Sequence, residues 1–126
     1  MLQYAMKIII AGGRDFDNYL HLLEAVVKSG FDVTEVVSGG APGADTLGEL
    51  FARDLEIPMK RFPADWNRHG RAAGPIRNGE MAQYADALIA MWDGVSTGTA
   101  NMIKQATERG LKVHVERYER TNSSTC

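Results

Sequence analysis

Three short stretches of this 126-residue chain gather the residue types that hold phosphate. They are Gly12-Gly13-Arg14-Asp15, Ser38-Gly39-Gly40-Ala41-Pro42-Gly43-Ala44-Asp45, and Asp93-Gly94-Val95-Ser96-Thr97-Gly98-Thr99. Glycine permits positive φ and lets a ligand approach the main chain closely. Where such a turn feeds a helix, free N–H groups and the positive end of the helix dipole collect at one point, which suits an anion. The hydroxyls of Ser38, Ser96 and Thr99 add donors, and Asp45 and Asp93 either contact ribose or fix their loops. Arg14, with Arg71 and Arg77 farther along, supplies guanidinium forks that grip phosphate through two bonds at once. Trp66 or Trp92 offers a face on which a base stacks. Each element also has a plainer reading. The turns then bind nothing, the arginines are solvated charges, Trp66 pins its loop, and Trp92 belongs to the core.

The order of elements decides whether these stretches meet. Met6–Ala11 is an apolar run suited to a strand buried on both faces. Asp17–Ser29 carries Leu20, Leu23 and Val27 at helical spacing, with Asp15 or Asp17 as N-cap and Gly30 as C-cap. Val33–Ser38 reads as a second strand, and Gly43–Leu55 as a helix with Leu47, Leu50, Phe51 and Leu55 on one stripe. Pro58–Phe62 is a short third strand, and Pro63–Gly74 has no period, as expected of a functional or irregular loop. A helix over Pro75–Tyr84 begins with proline in its first turn. Ala87–Trp92 is a buried strand, Ala100–Arg109 a helix closed by Gly110, and Leu111–Val115 a last strand. This alternation predicts an α/β fold: a single Rossmann-like three-layer domain whose mainly parallel sheet has about five strands. All β-to-α turns of such a sheet lie at the carboxyl ends of its strands, where ligands bind. The three polar turns are of that kind and the α-to-β turns are plain.

Other chemistries find little purchase. A net charge of −2 argues against a general nucleic-acid binder. The single cysteine, Cys126, allows no disulfide framework and no cysteine metal cluster, in keeping with a cytoplasmic protein. His21, His69 and His114 have no metal-ligand spacing, so no metal and no cofactor are expected; His21 and His114 read as structural, and only His69 could belong to a site. No apolar run is long enough to span a membrane and no signal-peptide pattern precedes Met6, itself a potential start that would make residues 1–5 a loose extension. Residues 120–126 read as a frayed polar tail beyond a core of about 6–116. G-x-x-x-x-G-K-[ST] and G-x-G-x-x-G with its acidic partner are missing, which sets aside P-loop hydrolysis and conventional dinucleotide dehydrogenation. Elbow-serine chemistry is not expected either, although Gly94-Val95-Ser96-Thr97-Gly98 has the letters of G-x-S-x-G.

Four motifs in order, I-I-I-A-G-G-R-D-F, V-V-S-G-G-A-P-G-A-D, G-P-I-R-N-G-E-M and M-W-D-G-V-S-T-G-T-A-N-M-I, resemble the YspA/YpsA-related branch of the SLOG superfamily. The resemblance runs from Lys7 to about Val115. The superfamily also contains Smf/DprA and the LOG phosphoribohydrolases. It implies a Rossmann-like fold that binds a nucleotide or nucleotide-derived ligand, with phosphate held by Gly39, Gly40, Gly43, Gly98 and Thr99. LOG enzymes hydrolyse the N-glycosidic bond of nucleoside monophosphates using R-K-x-x-M and P-G-G-x-G-T-x-x-E segments. Arg77-Asn78-Gly79-Glu80-Met81 is similar to the first, with Asn in place of Lys. Asp93–Met102 is similar to the second, with Met102 where the catalytic glutamate stands. Methionine can neither take a proton nor stabilise an oxocarbenium ion.

The function expected is therefore binding, as sensor, carrier or sequestering protein, through Gly12, Gly13, Arg14, Ser38, Gly39, Gly40, Gly43, Asp45, Arg71, Arg77, Asp93, Ser96, Gly98 and Thr99. The alternative is a nucleotide N-glycosidase drawing its carboxylate from Glu80, Asp45 or Asp93. By the resemblance, a homodimer through helix faces is expected, and the small size suggests a compact stand-alone bacterial protein or a phage protein.

Overall fold

The computed structural model describes residues 6–120. The loose extension expected at 1–5, and residues 121–126 of the tail expected at 120–126, Cys126 included, lie outside the described residues; Arg120, expected to be frayed, is instead bonded to Asp15. The strands are β1 (Met6–Gly12), β2 (Val33–Ser38), β3 (Met59–Arg61), β4 (Ala87–Trp92) and β5 (Lys112–Arg117). All pair in parallel, in the order β3-β2-β1-β4-β5. The helices are α1 (Tyr19–Ser29), α2 (Ala44–Asp54), α3 (Trp66–His69), α4 (Ala73–Tyr84) and α5 (Thr97–Glu108).

Strand β1 shows why the sheet needs cover on both sides. Ile8 and Ile10 point into one core with Leu22, Val36, Phe51 and Ile89, beneath α1 and α2. Ile9 and Ala11 point into the other with Val37, Met81, Leu88 and Met102, beneath α4 and α5. The alternation of the strand thus builds two apolar layers, as a doubly wound sheet requires. Helix α2 comes unusually close to β1, because a Cβ at Gly48 would lie 2.7 Å from the Ile10 side chain.

Several boundaries and faces differ from the expectation. Asn18, not Asp15 or Asp17, caps α1, its side chain accepting from the His21 amide at 3.0 Å. Leu20 and Val27 are 67% and 79% exposed, and the inward face is Leu22 and Ala25. Two overlapping helical stripes run along α1. Its rotation is fixed by polar anchors on either side: Tyr19 donating to Asp54, and His21 and Lys28 bonding Glu116 on β5. Helix α2 ends before the exposed Leu55 and faces inward with Ala44, Gly48, Phe51 and Ala52. Small residues, invisible to a search for large apolar stripes, set that face. The Pro63–Gly74 stretch is not patternless: it holds α3 and a 3-10 turn, Gly70–Ala72, with Asp65 accepting from the Arg68 amide as cap. Helix α4 starts at Ala73, with Pro75 still in its first turn. Helix α5 starts at Thr97, so Gly98 and Thr99 are helical rather than part of a turn. Gly30 and Gly110 have the left-handed φ values, 71° and 80°, expected of glycines that end helices.

Candidate functional site

A cavity of about 410 Å³ opens at the carboxyl edge of the sheet, between the end of β1, the turn after β2 and helices α4 and α5. Its floor is apolar, with Ala11, Met81 and Met102. The β1 end contributes Gly12 and Arg14, the β2 turn Ala41 and Asp45, α4 Arg77 and Asn78, and α5 Ser96 to Thr99 with Asn101. Trp66 and Arg71, from α3 and the 3-10 turn, form the remaining wall with Gly74 and Pro75.

Helix α5 meets this cavity with its N-terminus. Its first internal bond runs from the Ala100 amide to the Ser96 carbonyl, and the Ser96 side chain makes no cap. The amides of Thr97, Gly98 and Thr99 therefore lack intrahelical partners, and they are at the positive end of the dipole. Asp93 fixes the preceding turn by accepting from Val95 at 2.8 Å and Ser96 at 2.7 Å. Those two bonds hold its carboxyl below the ordinary carboxylate range. Trp92 pegs the same turn through an indole N–H donated to the Ser96 carbonyl at 3.1 Å.

Arg77 is the hinge of the arrangement. It donates to the Gly39 carbonyl at 2.6 Å and to Asn78 Oδ1 at 3.1 Å, while Asn78 donates to the Gly98 carbonyl and to Asn101. Guanidinium, β2 turn and α5 are thus tied together by one polar chain. Burial pulls the Arg77 pKa down, and the facing Asp45 partly offsets this. Asp45 is 4% exposed and accepts from the Ala41 amide at 3.2 Å. Burial pushes its carboxyl up to about 6 against the opposing pull of that bond and of Arg77.

The remaining expected residues are close by without lining the cavity. Gly43, at φ 81°, lies so near the first turn that a Cβ there would overlap the Gly13 carbonyl, to which the Ala44 amide donates at 3.1 Å. Gly39 fits between Arg77 and Asp45, and a Cβ there would strike both. Gly40, at φ 75°, is covered by the Arg61 stem. Ser38 is buried and donates to Glu49, itself paired with Arg61. Gly13 faces Tyr118, whose hydroxyl donates to Asp15 at 2.6 Å. Arg120 reaches Asp15 at 2.9 Å and Asp93 at 3.6 Å, bracing two of the three turns against each other. The second turn thus acts mainly as a packing joint, and of its polar side chains only Asp45 lines the cavity.

Of the three carboxylates considered for catalysis, Glu80 lies on a separate hollow of about 180 Å³ with Asp65, Arg68 and His69. Asp93 is consumed by its own turn, and Asp45 alone reaches the cavity. Trp66 is 51% exposed on the cavity rim instead of pinning its loop to the core. Asn101 was not foreseen, though it is one helical turn after Thr97 and so shares its face.

The molecule is thus a Rossmann-like α/β protein with a cationic cleft at the carboxyl edge of its sheet. The YspA, cpYpsA-related SLOG family matches residues 6–69. The Gene 61 protein of Mycobacterium phage D29 is 30% identical over 117 residues, covering 85% of this chain and 93% of that one. The chain belongs to this SLOG family. Among solved structures, the DNA processing protein A (DprA) of Streptococcus pneumoniae superposes with a TM-score of 0.68 at 17% identity, over 86% of this chain. This chain spans about half of DprA, 49% of its length, and the likeness concerns the fold. Among the described residues, no helix is long and apolar enough to cross a membrane.

Proposed function

We propose that the protein binds a nucleotide or nucleotide-derived molecule in the cleft and holds it without turnover, as sensor, carrier or sequestering protein. One observation carries this reading: the uncapped first turn of α5 opens into the same cavity as Arg14, Arg71 and Arg77. Free amides, a helix dipole and three guanidinium groups suit a phosphate better than they suit any neutral ligand. Trp66 offers an exposed indole for a base, and Asn78, Asn101 and Thr99 offer donors and acceptors for a sugar. At about 410 Å³ the cavity falls in the size range of small-molecule sites.

Native mass spectrometry of the freshly purified protein, with analysis of released small molecules, tests the reading. A nucleotide at one per chain, or micromolar binding in a titration of 5′-nucleotides, is the expected result. No binding across a broad nucleotide panel overturns it.

A second reading, nucleotide N-glycosidase, is favoured by one observation. Asp45 is a cavity carboxylate poised near neutral pH, as a general acid–base group would be. Release of a free base that disappears in Asp45→Asn is its signature. Met102 lies in the cavity lining where the LOG glutamate would stand, which weighs toward binding alone.

A further inference from the structure

Strand β5 ends the sheet, no strand among the described residues pairs with its outer edge, and its residues carry an unusual symmetry. From Lys112 to Glu116 the sequence reads K-V-H-V-E. Reversed against itself about His114, it sets lysine opposite glutamate, valine opposite valine and histidine opposite histidine. Edge strands are commonly guarded by charges that discourage pairing. Here the two charges are opposite in sign and equally far from the centre, so a second copy is attracted.

The backbone register agrees. The Lys112 amide donates to the Asp86 carbonyl and the Tyr118 amide to the Trp92 carbonyl. Even-numbered residues of β5 therefore direct their N–H and C=O groups toward β4, and odd-numbered ones direct theirs to the free edge. In an antiparallel pair centred on His114, Val113 of one copy is opposite Val115 of the other, and both offer outward amides and carbonyls. His114 then falls at the non-hydrogen-bonded position on the axis, as the alternation demands.

The side chains are available. Val115 is 37% exposed and Lys112 is exposed. No carboxylate among the described residues pairs with Lys112. Glu116 lies on the same face of the strand, its carboxylate 12% exposed and already bonded to His21, His114 and Lys28, so a lysine from across the axis would join a carboxylate that is held in place and shared. Leu20 and Val27 on α1 are also exposed, but nothing on that face gives a complementary pattern.

We propose that two copies of this chain pair antiparallel through β5, joining their sheets into one, with reciprocal Lys112–Glu116 contacts across a twofold axis at His114. The pairing is strand addition, in which main-chain bonds supply affinity and side chains set the register.

Sedimentation velocity of the full chain over a concentration series tests this. A reversible dimer is expected. Val115→Pro removes an outward amide that the single copy does not use, and Lys112→Glu sets carboxylate against carboxylate. Each should raise the dimer dissociation constant at least about tenfold while leaving the circular dichroism spectrum and the cleft's binding unchanged. If Val115→Pro fails to fold, Lys112→Glu alone decides. A chain that stays monomeric to its solubility limit, or a dimer indifferent to Lys112→Glu, overturns the proposal.

Discussion

Arg77 and Gly39 are joined across 38 positions of sequence by a hydrogen bond of 2.6 Å from guanidinium to carbonyl. The same guanidinium lines the cleft and bonds Asn78, so it serves as both ligand group and structural tie. Lysine keeps the charge and loses the fork. Arg77→Lys should bind 5′-nucleotides about ten- to a hundredfold more weakly, from the value of charged hydrogen bonds, with a native circular dichroism spectrum. Isothermal titration against wild type measures the difference. Equal affinity would show that the guanidinium does not touch the ligand.

Gly43 is where the second and first turns meet. Its φ is 81°, and a Cβ there would overlap the Gly13 carbonyl and the Arg14 main chain. Neither neighbour is a flexible side-chain end, so Gly43→Ala has no cheap escape. The substitution should destabilise the fold by at least about 2 kcal/mol, read as a lower urea midpoint at unchanged slope. Gly110→Ala, with φ 80° but nothing within 4 Å of its Cβ, pays only backbone strain and should cost less.

How much of this could be read from the chain follows from the physics of each element. Buried strands such as Ile8–Ala11 and Ala87–Trp92 announce themselves as apolar runs, and alternation with helices then dictates a parallel sheet and a site at its carboxyl edge. The facing of α1 was not legible, because Leu20, Leu23 and Val27 form as good a stripe as the true one. The choice rests on bonds from His21 and Lys28 to Glu116, 95 and 88 positions away. The glycines of the second turn looked like a phosphate cradle. Their conformations are needed instead for contact with Gly13, Arg61 and Arg77, partners that local sequence does not reveal. Arg14, Asp45 and Arg77 stand out by residue type, whereas Asn101 reaches the cleft only because α5 starts at Thr97.

Glu116 couples α1 to β5, and acid should uncouple them. Burial raises its carboxyl, but the bonds from His114, His21 and Lys28 outweigh that and hold it down at about 2. A folded-state pKa below the unfolded value stabilises above the unfolded value, near 4.5, and that contribution is lost as pH falls toward 2. Glu116→Gln should lose about 1–3 kcal/mol at neutral pH and show a shallower decline across that acid window. Urea unfolding at several pH values, at concentrations low enough to keep chains apart, makes the measurement.

Asp45 has the opposite sign, and its cavity is where a ligand would feel it. Its pKa rises from 3.8 to about 6, so the fold is most stable with Asp45 protonated; stability falls as pH rises from 3.8 to 6 and is level above. Above 6 the cleft holds a carboxylate facing any bound anion; below it that repulsion is gone. At an assumed separation of roughly 8–10 Å and an effective dielectric near 20, the repulsion is worth about 2 kcal/mol. A nucleotide whose phosphate is a diester keeps constant charge through this range, so its affinity isolates the protein's own titration. Binding should tighten about five- to thirtyfold between about pH 7.5 and 5. Asp45→Asn should bind tightly throughout and erase the pH dependence. A wild-type affinity that is flat with pH would mean that the anion does not sit within reach of Asp45, and would move the phosphate toward the Arg71 side of the cleft.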